Sequence, residues 1–230
     1  MYACKSGFTD RVSQLLERVN YRLVDSDDQR EEIFRLRYEA YRREQAIEPN
    51  SSEQFYDEYD TLSNVQIFGL YIDERLVSSI RIHVASKDQP QFPSRTTFAD
   101  LLEPELAAGK VIIDPTRFVT DRAVSQSLTG LPHITLRLCW MAAQHFKAEH
   151  FLVAIRSEHQ AFYRRTFGHR LICPARPYPM LKAPISLMTV SQAEVADRVH
   201  WRYPFFDSSS YERQRLFGQD SDQIGFAQAS

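Results

Sequence analysis

Asp114, Thr116 and Arg117 interrupt the apolar run Val111-Ile112-Ile113-Asp114-Pro115-Thr116-Arg117-Phe118-Val119, so a carboxylate, a hydroxyl and a guanidinium stand where a buried strand is expected. Burying ionisable groups is costly unless they are paired, and a strand carrying them marks a site. A carboxylate there can take a proton from a reacting group. A guanidinium can grip a carboxylate in two-point fashion. Upstream lie Arg37, the cluster Asp57-Glu58-Tyr59-Asp60, and Arg81 inside the strand-like run Leu76 to Val84. Arg37, Arg81 and Arg117 with Asp57 and Asp60 read as a charge-balanced set. Such a set clamps a substrate carboxylate or holds a loop to a sheet, and the intolerance of unpaired buried charge weights the second use.

These residues need elements to hold them. Val12, Leu15, Leu16 and Val19 recur at helical spacing, predicting an N-terminal helix over residues 1–20 before a short strand at 21–24. Asp25-Ser26-Asp27-Asp28 offers N-cap chemistry for a helix to about Gln45, with Ile33, Leu36 and Ala40 on its apolar stripe. Strands at 65–72 and 76–84 flank Asp73-Glu74-Arg75, a tight hairpin. Alternation puts Val77, Ser79, Arg81 and His83 on one face of the second strand. A loop over 86–94, a short helix over 98–106 and a break at Gly109 precede the site strand. Pro115 cannot donate to a ladder, so it predicts an edge or a bulge there. An extra residue could bring Asp114 and Arg117 to one face, which a regular strand forbids. After a loop with Arg122 and Gly130, a helix is expected over 132–147, a strand over 151–155, a helix over 158–167 ended by Gly168, and a strand over 185–190. Ser191-Gln192-Ala193-Glu194 matches a capping box for one more helix.

At 230 residues and 43% hydrophobic, the chain suits one core. A single domain over 1–206 with a polar tail over 207–230 is expected, Leu216-Phe217 being a docking point in the tail. The net charge of -2 gives no reason to expect nucleic acid or an anionic membrane as partner. Arginine outnumbers lysine 23 to 5, which suits recognition of planar anions and equally a GC-rich coding bias. Cys4, Cys139 and Cys173 lack CxxC spacing, and His133, His145, His150 and His159 lack metal-ligand spacing, so neither a disulfide framework nor a metal is expected. With no leader-like apolar stretch and no run approaching the roughly 20 residues of a membrane span, the expectation is a cytoplasmic protein without membrane insertion.

Leu36-Arg37-Tyr38-Glu39-Ala40-Tyr41, Asp57 to Asp60, Ser79-Ile80-Arg81-Ile82 and Asp114-Pro115-Thr116-Arg117-Phe118 follow the order and spacing of motifs in the acyl-homoserine-lactone autoinducer synthases. The chain resembles still more closely their sister group, the long-chain N-acyl amino acid synthases. The Asp-Pro-Thr-Arg-Phe form of the strand, the helix Glu158 to Arg165 and the turn Pro174 to Pro179 carry that likeness, over about Arg35 to Phe206. Asp114, Thr116 and Tyr41 replace the Glu, Ser and Phe of the lactone synthases, which argues against a lactone product. The implied fold is α/β (α+β) of the acetyltransferase-like kind, a mixed, mostly antiparallel central sheet with a bulged central strand and helices on both faces.

The resemblance implies an acyltransferase that moves a long-chain acyl group from a thioester to the α-amine of an amino acid. Lactone synthesis, or a silent module that binds acyl ligands, is the alternative. Asp114 is then the candidate base, with Thr116 and Arg117 beside it in the catalytic strand. Arg37, Tyr41, Asp57, Asp60, Arg81, Phe118 and Tyr163 would shape the substrate site, Tyr163 being also a possible proton donor to the leaving thiolate. No cofactor is expected to be resident, the donor being an acyl-phosphopantetheine thioester. Only Gly130 lies between Thr120 and Pro132, too little glycine for a coenzyme A pyrophosphate loop, so acyl carrier protein is favoured over acyl-CoA. Carrier proteins are acidic. Arg137, Lys147, Arg164, Arg165 and Arg170, with Arg156 and His169 in the same stretch, are the candidate docking cations. Leu136, Leu138, Trp140, Met141 and Phe146 would line a core or an acyl tunnel.

Overall fold

Asp73 and Glu74 both adopt positive φ, 49° and 63°, the conformation that lets a two-residue turn follow the twist of its strands. That turn joins the strands Val65–Ile72 and Arg75–Ala85 in a computed structural model that describes residues 7–178 and 183–218. Cys4, Pro179 and the expected tail beyond residue 218 lie outside the described residues.

Along the chain run α1 (Gly7–Leu16), β1 (Val19–Leu23), α2 (Asp27–Arg43), β2 (Val65–Ile72), β3 (Arg75–Ala85), α3 (Pro93–Ala107), β4 (Ile112–Thr120) and α4 (Arg122–Ser127). Then come α5 (Leu131–His145), β5 (His150–Ile155), α6 (Gln160–Phe167), β6 (Arg170–Arg176), β7 (Ile185–Val190), α7 (Gln192–Arg202) and α8 (Ser210–Phe217). The strands form one sheet in the order β1-β2-β3-β4-β5-β7-β6. Every neighbouring pair is antiparallel except β4 and β5, which are parallel and joined by the crossover helix α5.

Apolar residues on nearly every side of α5 make it the centre of the larger core, on one face of the sheet with α1, α6, α7 and α8. Leu138, Trp140 and Met141 lie fully inside that core, so they are filling rather than tunnel wall. The other face carries α2 and α3. Ile33, Leu36 and Ala40 of α2 pack on Ile67, Tyr71 and Val119, as their spacing predicted. Ser26 caps α2 by accepting from Gln29 N, and Gly168 ends α6 at φ 83°.

Some expectations need correction. Helix α3 starts at Pro93, inside the expected loop, since proline is suited to a first helical turn. Residues 122–127 form α4 and 170–176 form the edge strand β6, neither of which was expected. Ser191 precedes α7, but its side chain makes no capping bond. The tail does not begin at Asp207. Helix α8 packs on α5, with Phe217 fully buried against Phe68 and Phe146.

Arg137 ties that helix down. Its guanidinium, 3% exposed, donates to Phe205 O and Asp207 O, both at 2.6 Å, and to the Glu212 carboxylate at 2.5 and 2.9 Å. It is therefore a buried clasp and not a docking cation. Tyr21 Oη reaches the same region, donating to Ile134 O at 2.8 Å.

Candidate active site

On β4, Thr116 stands opposite Arg81 and Val119 opposite Ser79, so Arg117 and Phe118 together face the single residue Ile80. This is a β-bulge, and Arg117 adopts φ 54° to make it. The bulge sits two residues beyond Pro115, which pairs in register with Ile82. Its effect is the one inferred from the sequence. Arg117 turns to the α2 side, joining Arg81, Thr116 and Asp114, while Phe118 packs into the α5 side.

Five charges meet beneath that face. Asp57 is the N-cap of the 3-10 turn Glu58–Thr61 and Asp60 its third residue; the Asp57 carboxylate accepts from Tyr59 N and the Asp60 carboxylate from Asp57 N, each at 3.0 Å, a capping box. Arg37 donates to Asp60 at 2.7 Å, Arg81 to Asp57 at 2.5 Å with Asp60 at 3.0 Å, and Arg117 to Asp57 at 2.5 Å. Arg81 Nε also donates to Thr116 Oγ1 at 2.9 Å. Arg117 stacks over Phe55 and Tyr41, 4.2 and 5.4 Å from the ring centres. All five charged residues are buried. Burial alone would raise the Asp57 carboxyl, but Arg81 and Arg117 outweigh it and hold it at about 2. Burial lowers Arg37 to about 10 against the pull of Asp60. Three guanidiniums face two carboxylates, so the set is not balanced and carries one positive charge over.

Asp114 is not part of this set. Fully buried, it accepts from Ser94 N at 3.0 Å and Ser94 Oγ at 2.7 Å. Helix α3 has Phe92 at its N-cap with no side-chain bond, so Asp114 caps the helix from across the fold. Burial pushes its carboxyl up to about 6, with Ser94 and Arg81 opposing. His83, its cross-strand neighbour, donates from Nε2 to Tyr59 O at 3.0 Å and is driven down to about 3 by burial and by Arg81. Tyr178, raised by burial and by the charge of Asp114, stands within electrostatic reach of Asp114, Arg117 and Arg81.

Beside the bulge the sheet opens. β4 and β5 pair only at Ile112 with His150 and Ile113 with Phe151, and then diverge. The wedge between them is a cleft of about 820 Å³ whose walls include Pro115 to Thr120 on one side and Val153 to Arg156 on the other. Leu136, Phe162 and Tyr163 make its α5/α6 side apolar, and Tyr41, Arg43 and Glu44 line it toward the end of α2. Thr116, Arg117, Phe118, Tyr41 and Tyr163 all line the cleft, whereas Asp114, Arg37, Asp57, Asp60 and Arg81 lie behind the wall. Leu136 alone of the five apolar α5-region residues reaches it. Of the docking candidates, Lys147, Arg164, Arg165 and Arg170 are exposed, His169 is buried, and Arg156 lines the cleft. Ser94, Tyr178, Glu44 and the cleft-lining role of Arg156 had no signal in the sequence, because nothing in their spacing links them to β4. Among the described residues no group of acidic, His or Cys side chains could hold a metal, and no helix is long and apolar enough to cross a membrane.

Known proteins share this fold. The profile of the family described as N-acyl amino acid synthase FeeM matches residues 32–191. The solved structure of FeeM, an N-acyl amino acid synthase from uncultured soil microbes, superposes with a TM-score of 0.67 at 18% identity, covering 83% of this chain and 99% of that one. The acyl-homoserine-lactone synthase LasI gives 0.59 at 12% identity, covering 77% and 93%. An acyl-CoA N-acyltransferase from Pseudomonas aeruginosa gives 0.51 at 18% identity, covering 74% and 98%. At these identities the structural likeness is one of fold. No curated protein sequence matches the chain.

Proposed function

Because the chain belongs to the FeeM family of N-acyl amino acid synthases, and is thereby an acyltransferase that makes N-acyl compounds, we propose that it transfers a long-chain fatty acyl group from the phosphopantetheine thioester of acyl carrier protein to the α-amine of an amino acid. The observation that carries this reading is the wedge between β4 and β5, apolar toward α5 and α6 and charged toward α2. A thioester arm can lie between the strands with its chain on the apolar side, and a charged acceptor can approach from the other.

The reaction needs three services. The amine must lose a proton before it attacks, since a free α-amine has a pKa near 8. Asp114 is the proposed acceptor, acting from behind Pro115. The amine then forms a C–N bond to the thioester carbon, and the oxyanion is met by peptide N–H groups of the β4 edge beyond Ile113, which has no ladder partner on its β5 side. When the C–S bond breaks, Tyr163, in the cleft wall, donates a proton to the thiolate and regains one from the nitrogen, which sheds its second proton as the amide forms. The buried arginines and Asp57/Asp60 organise the wall. Helix α4 occupies the segment where a glycine-rich pyrophosphate loop would be needed, which supports a carrier protein over coenzyme A as donor. The exposed Arg164, Arg165, Arg170 and Lys147 supply positive charge for an acidic carrier.

The test is mass spectrometry of lipid extracts from bacteria expressing the chain, followed by assay of the purified protein with acyl carrier protein and coenzyme A thioesters of the same fatty acid. New species with the mass of a fatty acyl group plus one amino acid are expected, formed faster from the carrier protein. A lactone product, or no turnover of either thioester, would defeat the reading.

A further inference from the structure

We propose that Arg156 anchors the carboxylate of the amino acid acceptor and that Glu44 holds its place until the acceptor arrives. The inference rests on the amino acid synthase reading above. An amino acid carries its carboxylate one carbon from the reacting amine, so a site selective for it needs a cation in the cleft that can take on a new anion.

The three arginines beneath β4 cannot serve. Arg37, Arg81 and Arg117 already hold buried carboxylates, and releasing those would strand charge in the interior. Arg156 differs in each respect. It lines the cleft directly after β5, and its side chain is 37% exposed. Its partners are the surface carboxylates Glu44, at 3.3 Å, and Glu158, at 3.0 Å, both more than half exposed. Such pairs contribute little and exchange readily for a better-placed anion. His159 Nε2 lies 3.3 Å from the same guanidinium, and Arg43 adds a second cation to the rim.

The strand's alternation places Arg156 on the acceptor's side. Val153 and Ile155 belong to the core around α5, whereas Leu152 and Ala154 belong to the opposite cluster, and Arg156 continues that second set. Its bond to Glu44, at the C-cap of α2, crosses the mouth of the wedge from the β5 wall to the α2 wall. A carboxylate thus already occupies the guanidinium at the point where an amino acid entering from the α2 side would present its own. Displacing Glu44 opens the mouth and seats the acceptor in one move.

The experiment compares wild type, Arg156→Gln and Glu44→Gln with hexadecanoyl carrier protein as donor. Acceptors are whichever of the common amino acids wild type uses best and its α-carboxamide, which keeps the amine and loses the charge. For Arg156→Gln, kcat/KM for the free acid is expected to fall about tenfold through KM while the amide changes less than about twofold. Glu44→Gln, which removes the competitor, is expected to lower KM for the acid about twofold. Equal losses on acid and amide, or an unchanged KM for the acid, would overturn the anchor. A wild type that makes N-acyl amide and N-acyl acid at equal rates would overturn it too. Absence of any N-acyl amino acid from wild type would instead fell the parent reading.

Discussion

Arg81 lies behind the cleft wall and Arg156 lines the cleft; both bind carboxylates, yet one side chain is 1% exposed and the other 37%. Arg81 is fixed by Asp57, Asp60 and Thr116 at once, and none of those partners is free to leave. Arg156 shares two exposed carboxylates with solvent. An arginine locked among buried acids sets geometry, whereas one held loosely at a rim can recognise something that arrives and departs. The chain divides its guanidiniums between these tasks by burial, not by residue type.

The division should show as a gradient of effects. Asp57→Ala strips the carboxylate shared by Arg81 and Arg117 and is expected to cost about 3–5 kcal/mol, read from urea unfolding, with activity abolished. Arg117→Ala is expected to fail in the same way, losing folding along with turnover; a variant that melts normally would show that the network is not a scaffold. Asp114→Asn removes one acceptor from Ser94 and is expected to cost about 1–3 kcal/mol at pH 5, with a larger fall in kcat than in KM.

The two aspartates also titrate in opposite senses. Asp57 is held low, so its contribution is present above the ordinary aspartate range and fades as pH falls through about 2. Asp114 is held high, so the wild type is most stable, as far as this group decides, below about 4 and loses stability as pH rises through about 6. Unfolding measured from pH 4 to 7 should show the Asp114→Asn protein free of a decline on the order of 3 kcal/mol. Parallel curves would refute the raised carboxyl. At the small end, Glu44→Gln should shift stability by no more than about 0.5 kcal/mol, since both partners in its ion pair are exposed.

Much of the buried network was legible because its residues break rules locally: Arg81, Asp114 and Arg117 stand in apolar strands, and Asp57 and Asp60 have capping-box spacing. The location of the bulge was not. Pro115 drew attention to itself, but the edge it needs comes from the divergence of β5, and the extra residue falls at Arg117. β6 was hidden because Arg170 to Arg176 is an edge strand with mostly polar or half-exposed residues and a proline. Arg156 was indistinguishable, in sequence, from the other arginines of its stretch, and only the fold separates it from Arg164 and Arg165. Asp114 illustrates both sides: its importance was readable, its grip on Ser94, 20 residues earlier, was not.

Arg137 also sets a schedule. Its backbone acceptors at Phe205 and Asp207 lie 68 and 70 residues downstream, and Glu212 lies 75 downstream. On a ribosome that adds about 5–20 residues per second, the central helix therefore waits several seconds with an unmatched cation on its surface. The sheet can assemble meanwhile, but α5 cannot bury that side until Phe205 to Glu212 have emerged. Maturation of the cleft, one wall of which is α5 itself, thus waits on the segment that carries Phe205 to Glu212.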